Sequence, residues 1–158
     1  MTLMTALLAL LAQDLVDNPE YKGWAAFKAG SSVTYKYNPQ EGGQKVTLKS
    51  IGTTEAVVET EILLNGKTVG QKTERKIPAK LPADKVSKDA KEGEEEIDVA
   101  GKKMKCRTRE VEKKTANGKT VTVKIWIQED IPGSGAQVQT LTEAGGKFSM
   151  TATEWEKK

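Results

Sequence analysis

Any chemistry in this chain has to be done without histidine. The sequence contains none, which removes the commonest general base and the commonest metal ligand together. Its single cysteine, Cys106, can neither close an intramolecular disulfide nor build a thiolate metal site alone. Ser-His-Asp and Cys-His catalysis are therefore excluded. Carboxylates, lysines and tyrosines remain, and no recognisable pattern groups them. The expectation is a non-catalytic protein without catalytic residues, metal site or cofactor.

Two triplets, Gly66-Lys67-Thr68 and Gly118-Lys119-Thr120, end like phosphate-binding P-loops. That loop also needs a glycine five residues earlier, where this chain has Glu61 and Lys113. Each triplet instead overlaps an Asn-Gly pair, Asn65-Gly66 and Asn117-Gly118, the strongest short hairpin signal. Both read as turns. Gly133-Ser134-Gly135 lacks a following helix whose N-terminus would hold an anion, and Pro132-Gly133 has the chemistry of a type II turn. The acidic run Glu94-Glu95-Glu96 cannot converge on one cation, because consecutive strand residues point to opposite faces. It reads as a solvated edge. Cys106 shares a strand face with Met104, while Lys103, Lys105, Arg107 and Arg109 take the other, so packing is the expected role of the thiol.

Trp126 carries more information. In Thr120–Gln128, Val121, Val123, Ile125 and Ile127 face one way and read as the core side. Trp126 shares the other side with Thr122, Lys124 and Gln128. It packs against an N-terminal helix around Trp24, covers a sheet edge, or lines a cavity. Trp24, Phe27 and Trp126 are accordingly the candidate ligand-binding residues.

The elements that must position these residues follow from length and pattern. A chain of 158 residues fits one domain with a substantial core. Lys+Arg number 25 against 22 Asp+Glu, a net charge of +3, and the signs are interleaved. With only 5% aromatic residues, there is neither a clustered basic stripe nor a stacking platform, so nucleic acid is not an expected partner. The apolar run Leu3–Ala12 is too short to span a bilayer of roughly 30 Å. It suits the core of a signal peptide, with Ala12 ahead of a cleavage point before Gln13, or else a short N-terminal apolar helix. The division expected is therefore residues 1–12 as that segment and 13–158 as a single β-rich domain, with a periplasmic or extracellular location.

Asp17 or Asn18 caps a short helix starting at Pro19, with Tyr21, Trp24 and Phe27 on its apolar side and Gly30 as a stop. From Ser31 the period becomes two. Runs over 31–37, 44–51, 56–64, 68–76, 94–99, 102–113, 119–128, 136–143 and 147–156 give about nine strands, joined mostly by hairpins. The stretch 77–93 reads as a charged surface loop with one helical turn near 83–90. A mainly β fold follows: a curled antiparallel meander or half-open up-and-down β-barrel with a short N-terminal helical segment.

Asn18-Pro19 with Trp24 and Phe27 before Gly30-Ser31-Ser32-Val33, Val99-Ala100-Gly101 leading to Cys106, and Trp126 before Ile131-Pro132-Gly133 together resemble a group of small exported bacterial β-domains of uncharacterised function. The predicted architecture is also similar, more remotely, to periplasmic lipoprotein-carrier folds, in which a curved antiparallel sheet wraps an apolar cavity closed by helices. Strands rich in Thr, Lys and Glu depart from what an acyl-chain cavity needs. Two functions remain open. One is an exported non-catalytic domain binding a small apolar ligand or lipid. The alternative is a structural or protein–protein interaction module of the cell envelope, with an envelope protein as partner.

Overall fold

The computed structural model describes residues 14–158, so the expectation for the run Leu3–Ala12 lies outside the described residues. A nine-stranded antiparallel sheet dominates. Its strands are β2 (Ser32–Asn38), β3 (Gly43–Ile51), β4 (Glu55–Leu64), β5 (Lys67–Pro78), β7 (Lys91–Val99), β8 (Lys102–Lys114), β9 (Thr120–Ile127), β10 (Gly135–Thr142) and β11 (Lys147–Glu156). Their spatial order is β5-β4-β3-β2-β11-β10-β9-β8-β7. That is the cyclic order of an up-and-down barrel with one seam, between β5 and β7, left unpaired. The sheet is half-open, not closed.

The Asn-Gly turns behave as their chemistry requires. Asn65 and Gly66 both have positive φ, 51° and 75°, the signature of a type I′ hairpin. Gly118 sits at φ 77° and donates its N–H to the Thr115 carbonyl at 2.9 Å. Both P-loop-like triplets therefore lie in hairpin turns.

The seam has a local cause. After β5 the chain forms β6 (Lys80–Pro82), which pairs antiparallel with β1 (Leu15–Asp17), followed by a 3-10 turn over Ala83–Lys85. This connection was expected to be a loop with one helical turn. It does contain the turn, but three residues of it are committed to a separate two-stranded sheet. Asn18 holds the junction, its N–H donating to the Ala79 carbonyl at 3.0 Å and its side-chain amide to the Pro78 carbonyl at 2.7 Å.

The helix α1 spans Pro19–Ala25, and the Asn18 side chain accepts from the Glu20 N–H at 3.0 Å. This is the expected cap with proline at the first position. Glu20 forms a forked pair with Arg75 on β5, one arm at 3.0 Å, and Trp24 is only 4% exposed. Directly opposite residues on neighbouring strands share a face. Arg75 opposes Val58, Val58 opposes Leu48, and Val46 opposes Val33, so α1 covers the face that carries these buried side chains. Burying an indole removes about 150–250 Å² from water, worth roughly 4–6 kcal/mol at about 25 cal/mol per Å².

Candidate functional site

The loop after β9 ties the helix to the sheet. Ser134 donates its N–H to the Ile131 carbonyl at 2.7 Å, and Gly133 between them has φ 79°, as a type II turn on Pro132-Gly133 demands. Gly133 also donates to the Gly23 carbonyl at 3.0 Å. A Cβ on Gly133 would stand 2.8 Å from the Trp24 ring, and one on Gly23 would stand 2.7 Å from the Gly133 oxygen. Neither position has room for a side chain. Beside this contact the Tyr35 hydroxyl donates to the Gly135 carbonyl at 2.8 Å. Burial, with a smaller contribution from Glu20, pushes the Tyr35 phenol well above its usual range. The glycines of this loop serve close packing.

Trp126 lies on the other side of the sheet. It opposes Gln137, which opposes Thr151, which opposes Lys36. Lys36 alternates with Tyr35 and Tyr37 on β2, so Trp126 faces away from α1. On its own side it is 5% exposed. Across β8 it meets Thr108, and Cys106 two residues along opposes Glu95 on β7. Glu95 reaches over to accept the indole N–H at 2.8 Å and also takes an ion pair from Lys124. The Lys124 ammonium sits 4.8 Å from the indole ring centre, a cation–π arrangement. Lys124 first, then the indole N–H, holds the Glu95 carboxyl below the usual range. Beneath this lid Cys106 is 1% exposed, and burial raises its thiol pKa. A thiol so placed packs; it is not poised as a nucleophile.

This reverses one expectation. Alternation in β9 predicts the Val121, Val123, Ile125 and Ile127 side as core and the Trp126 side as polar. The valines and isoleucines are in fact only half-buried, while Trp126 is buried. The reason is β8 and β7, which place Cys106, Thr108 and Glu95 on the Trp126 side. Alternation within one strand cannot reveal these neighbours. The acidic run behaves as anticipated: Glu94 and Glu96 pair with Lys105 at 2.7 Å and Lys103 at 3.8 Å, while Glu95 takes the opposite side.

The three candidate ligand residues are therefore not brought together. Trp24 is buried on the α1 side, and Phe27 is half-buried against the core next to it, its N–H donating to the Trp24 carbonyl at 2.9 Å. Trp126 is on the opposite face. One surface cleft, of about 490 Å³, is lined by Ser87, Asp89, Lys91, Glu110–Lys114 and Thr120. Another, about 130 Å³, lies between Ser32, Thr34, Lys45 and Glu154–Glu156. Neither is lined by Trp24, Phe27 or Trp126. No group of three or more Cys, Asp or Glu is placed to hold a metal ion among the described residues.

The feature that sequence reasoning missed is an apolar band on the α1 face, beyond the reach of the helix. Val111 opposes Val123, Val123 opposes Thr140, and Thr140 opposes Phe148. The adjacent row runs Ile125, Val138, Met150 and Tyr37, and the Tyr37 and Phe148 rings lie 5.5 Å apart. These side chains are half-buried, and apart from Met150 they lie outside the packed core. Further along the same face Ile62 and Leu64 are 41% and 43% exposed. The signal was the run of alternating apolar residues in β9, which was assigned to the interior.

No protein-family model and no curated protein matches this chain. The fold is similar to that in the MucA/MucB complex of Pseudomonas aeruginosa, with a TM-score of 0.51 at 12% identity over 88% of this chain and 54% of that one. A second structure, MucB in complex with MucA(peri), gives 0.50 at 12% identity over 89% and 54%. The chain thus spans about half the length of the solved chains it matches. At this identity the shared property is the fold. Neither comparison is with a lipoprotein carrier.

Proposed function

We propose that this protein is a non-catalytic interaction module of the cell envelope, exported to the periplasm, that binds another protein through its sheet. The observation that carries this reading is the half-buried band Val111-Val123-Thr140-Phe148 on the face shared with α1, which lies outside the packed core among the described residues. Contiguous apolar surface left partly open to solvent on a folded domain marks an interaction site. The fold likeness supports the same reading, since MucB was solved bound to MucA. An enclosed apolar ligand site is less well supported, because the three aromatic residues that would line it lie on two faces.

The test is photo-crosslinking in the native host from a reactive side chain installed at Val123, with native mass spectrometry of the purified protein. A discrete crosslinked envelope protein is expected. A retained lipid or small molecule with no crosslinked protein overturns the reading in favour of a carrier.

A further inference from the structure

The cleft of about 490 Å³ lies where two paired strands differ in length. β8 runs to Lys114, but its pairing with β7 stops at Glu110, which opposes Lys91. Val111 to Lys114 are paired on one side only, with β9. On the other side their outward-facing backbone groups have no strand partner among the described residues, and the cleft is lined there by Ser87, Asp89 and Lys91. Its end wall is fixed, because Arg109 donates to the Ser87 carbonyl at 2.7 Å and holds the incoming loop against β8. We infer that this slot accepts an extended segment of a partner protein as a short added strand, antiparallel to β8 and in line with β7. The inference rests on the interaction reading above and names the place and chemistry of the contact.

The neighbouring edges are charged along most of their length; the slot is also charged, at Glu112, Lys113 and Lys114, but the loop residues Ser87, Asp89 and Lys91 wall it into a short groove. β5 presents Lys67, Lys72, Arg75 and Lys76 and is broken by a register shift with Gly70 at φ 73°. β7 presents Glu92, Glu94, Glu96 and Asp98. Charged side chains and bulges are how proteins keep edges from pairing. The slot is recessed and opens onto the apolar band through Val111. In strand addition, main-chain bonds supply affinity and alternate side chains supply specificity. A residue opposite Val111 extends the Val111–Val123 row and should be apolar. One opposite Glu112 should be basic and one opposite Lys113 acidic, since both charges are exposed and have no ion-pair partner among the described residues.

The probe is a synthetic capped hexapeptide with valine, arginine and glutamate opposite Val111, Glu112 and Lys113. A second peptide has arginine and glutamate exchanged. Amide shifts on isotope-labelled protein should saturate and centre on residues 111–114 and 120–123. The exchanged peptide should bind at least about threefold more weakly, from two cross-strand pairs turned from attractive to repulsive. The double variant Glu112→Lys with Lys113→Glu should reverse the preference. Absence of shifts with either peptide at millimolar concentration overturns the inference, as do shifts centred on β5, or a dimer of this chain that occupies the slot without peptide. If the Val123 crosslink still captures a protein in those cases, the interaction reading stands and only the slot is lost. If the peptides bind but the crosslink captures nothing, the slot stands and the envelope role is lost.

Discussion

Replacing Gly133 by alanine should destabilise the protein more than the same change at Gly118, and the difference measures the packing of the loop on Trp24. Both glycines have nearly the same positive φ, 79° and 77°. In each, a Cβ in the left-handed region costs about 1–2 kcal/mol, offset by about 0.4–1 kcal/mol from a stiffer unfolded chain. The surroundings differ. A Cβ at Gly118 meets nothing within 4 Å, while one at Gly133 meets the Trp24 ring at 2.8 and 2.9 Å. The ring cannot withdraw freely, because Trp24 is buried and Gly133 is bonded to Gly23 at the base of the same contact. Forcing an extra carbon into such a site costs about 1–3 kcal/mol. Gly118→Ala should therefore lose about 0–1.6 kcal/mol and Gly133→Ala about 1–3 kcal/mol more. Urea titration of both variants, followed by tryptophan fluorescence and circular dichroism, gives the two values. On heating, the packing difference corresponds to roughly 2–12 °C in Tm. Equal losses would refute the reasoning, since they would mean that the loop yields around Trp24 at no cost.

Three further outcomes follow from the two faces of the sheet. Tyr35→Phe should cost about 0.5–1.5 kcal/mol by removing the part-buried hydrogen bond to the Gly135 carbonyl, measurable by denaturant titration. Because burial raises the Tyr35 pKa above its usual 10.0, its contribution is complete below that value and declines as pH rises through the higher folded one. The variant should lose that alkaline sensitivity. Glu95→Gln should weaken the lid over Cys106 at neutral pH. The folded carboxyl titrates below the ordinary 4.5, so its contribution is present above that value and fades as pH falls through the lowered one. A variant whose acid unfolding profile matched the parent would contradict this. Cys106 should react with a chromogenic disulfide reagent only as fast as the protein opens, and at the rate of a free thiol in denaturant. Fast labelling in the native state would show that the lid is not closed.

Most of the sheet was legible because its signals are local. Alternation gives strands, Asn-Gly gives hairpins, and Asn18-Pro19 gives a helix start; all nine long strands fall where those signs put them. What was not legible depends on partners distant in sequence. Leu15–Asp17 and Lys80–Pro82 are too short to show a period, and their pairing links residues about 65 positions apart. The register shifts between Gly135 and Gln137 and between Ala152 and Glu154 have no mark in the local pattern. The slot at Val111–Lys114 did leave one. The run 102–113 was visibly longer than its hairpin partner 94–99, and an unequal hairpin leaves backbone unpaired.

The apolar band follows from how the two halves of the sheet bury their surface. The β2–β5 half is covered on one face by α1, held by the Glu20–Arg75 pair and by the Gly23–Gly133 contact. At 7 residues the helix is about 10 Å long at 1.5 Å per residue. Strands lie about 4.8 Å apart, so a helix of that length has the reach of two or three strands of nine. The β7–β9 half turns its best hydrophobes, Val99, Cys106 and Trp126, to the opposite face. Its residues on the α1 face, Val111, Val121, Val123 and Ile125, are thereby left with a sheet beneath them and, among the described residues, no helix above. The valine-rich side of β9 lies next to a slot of backbone unpaired among the described residues, and it is this combination that an added strand would satisfy at one stroke.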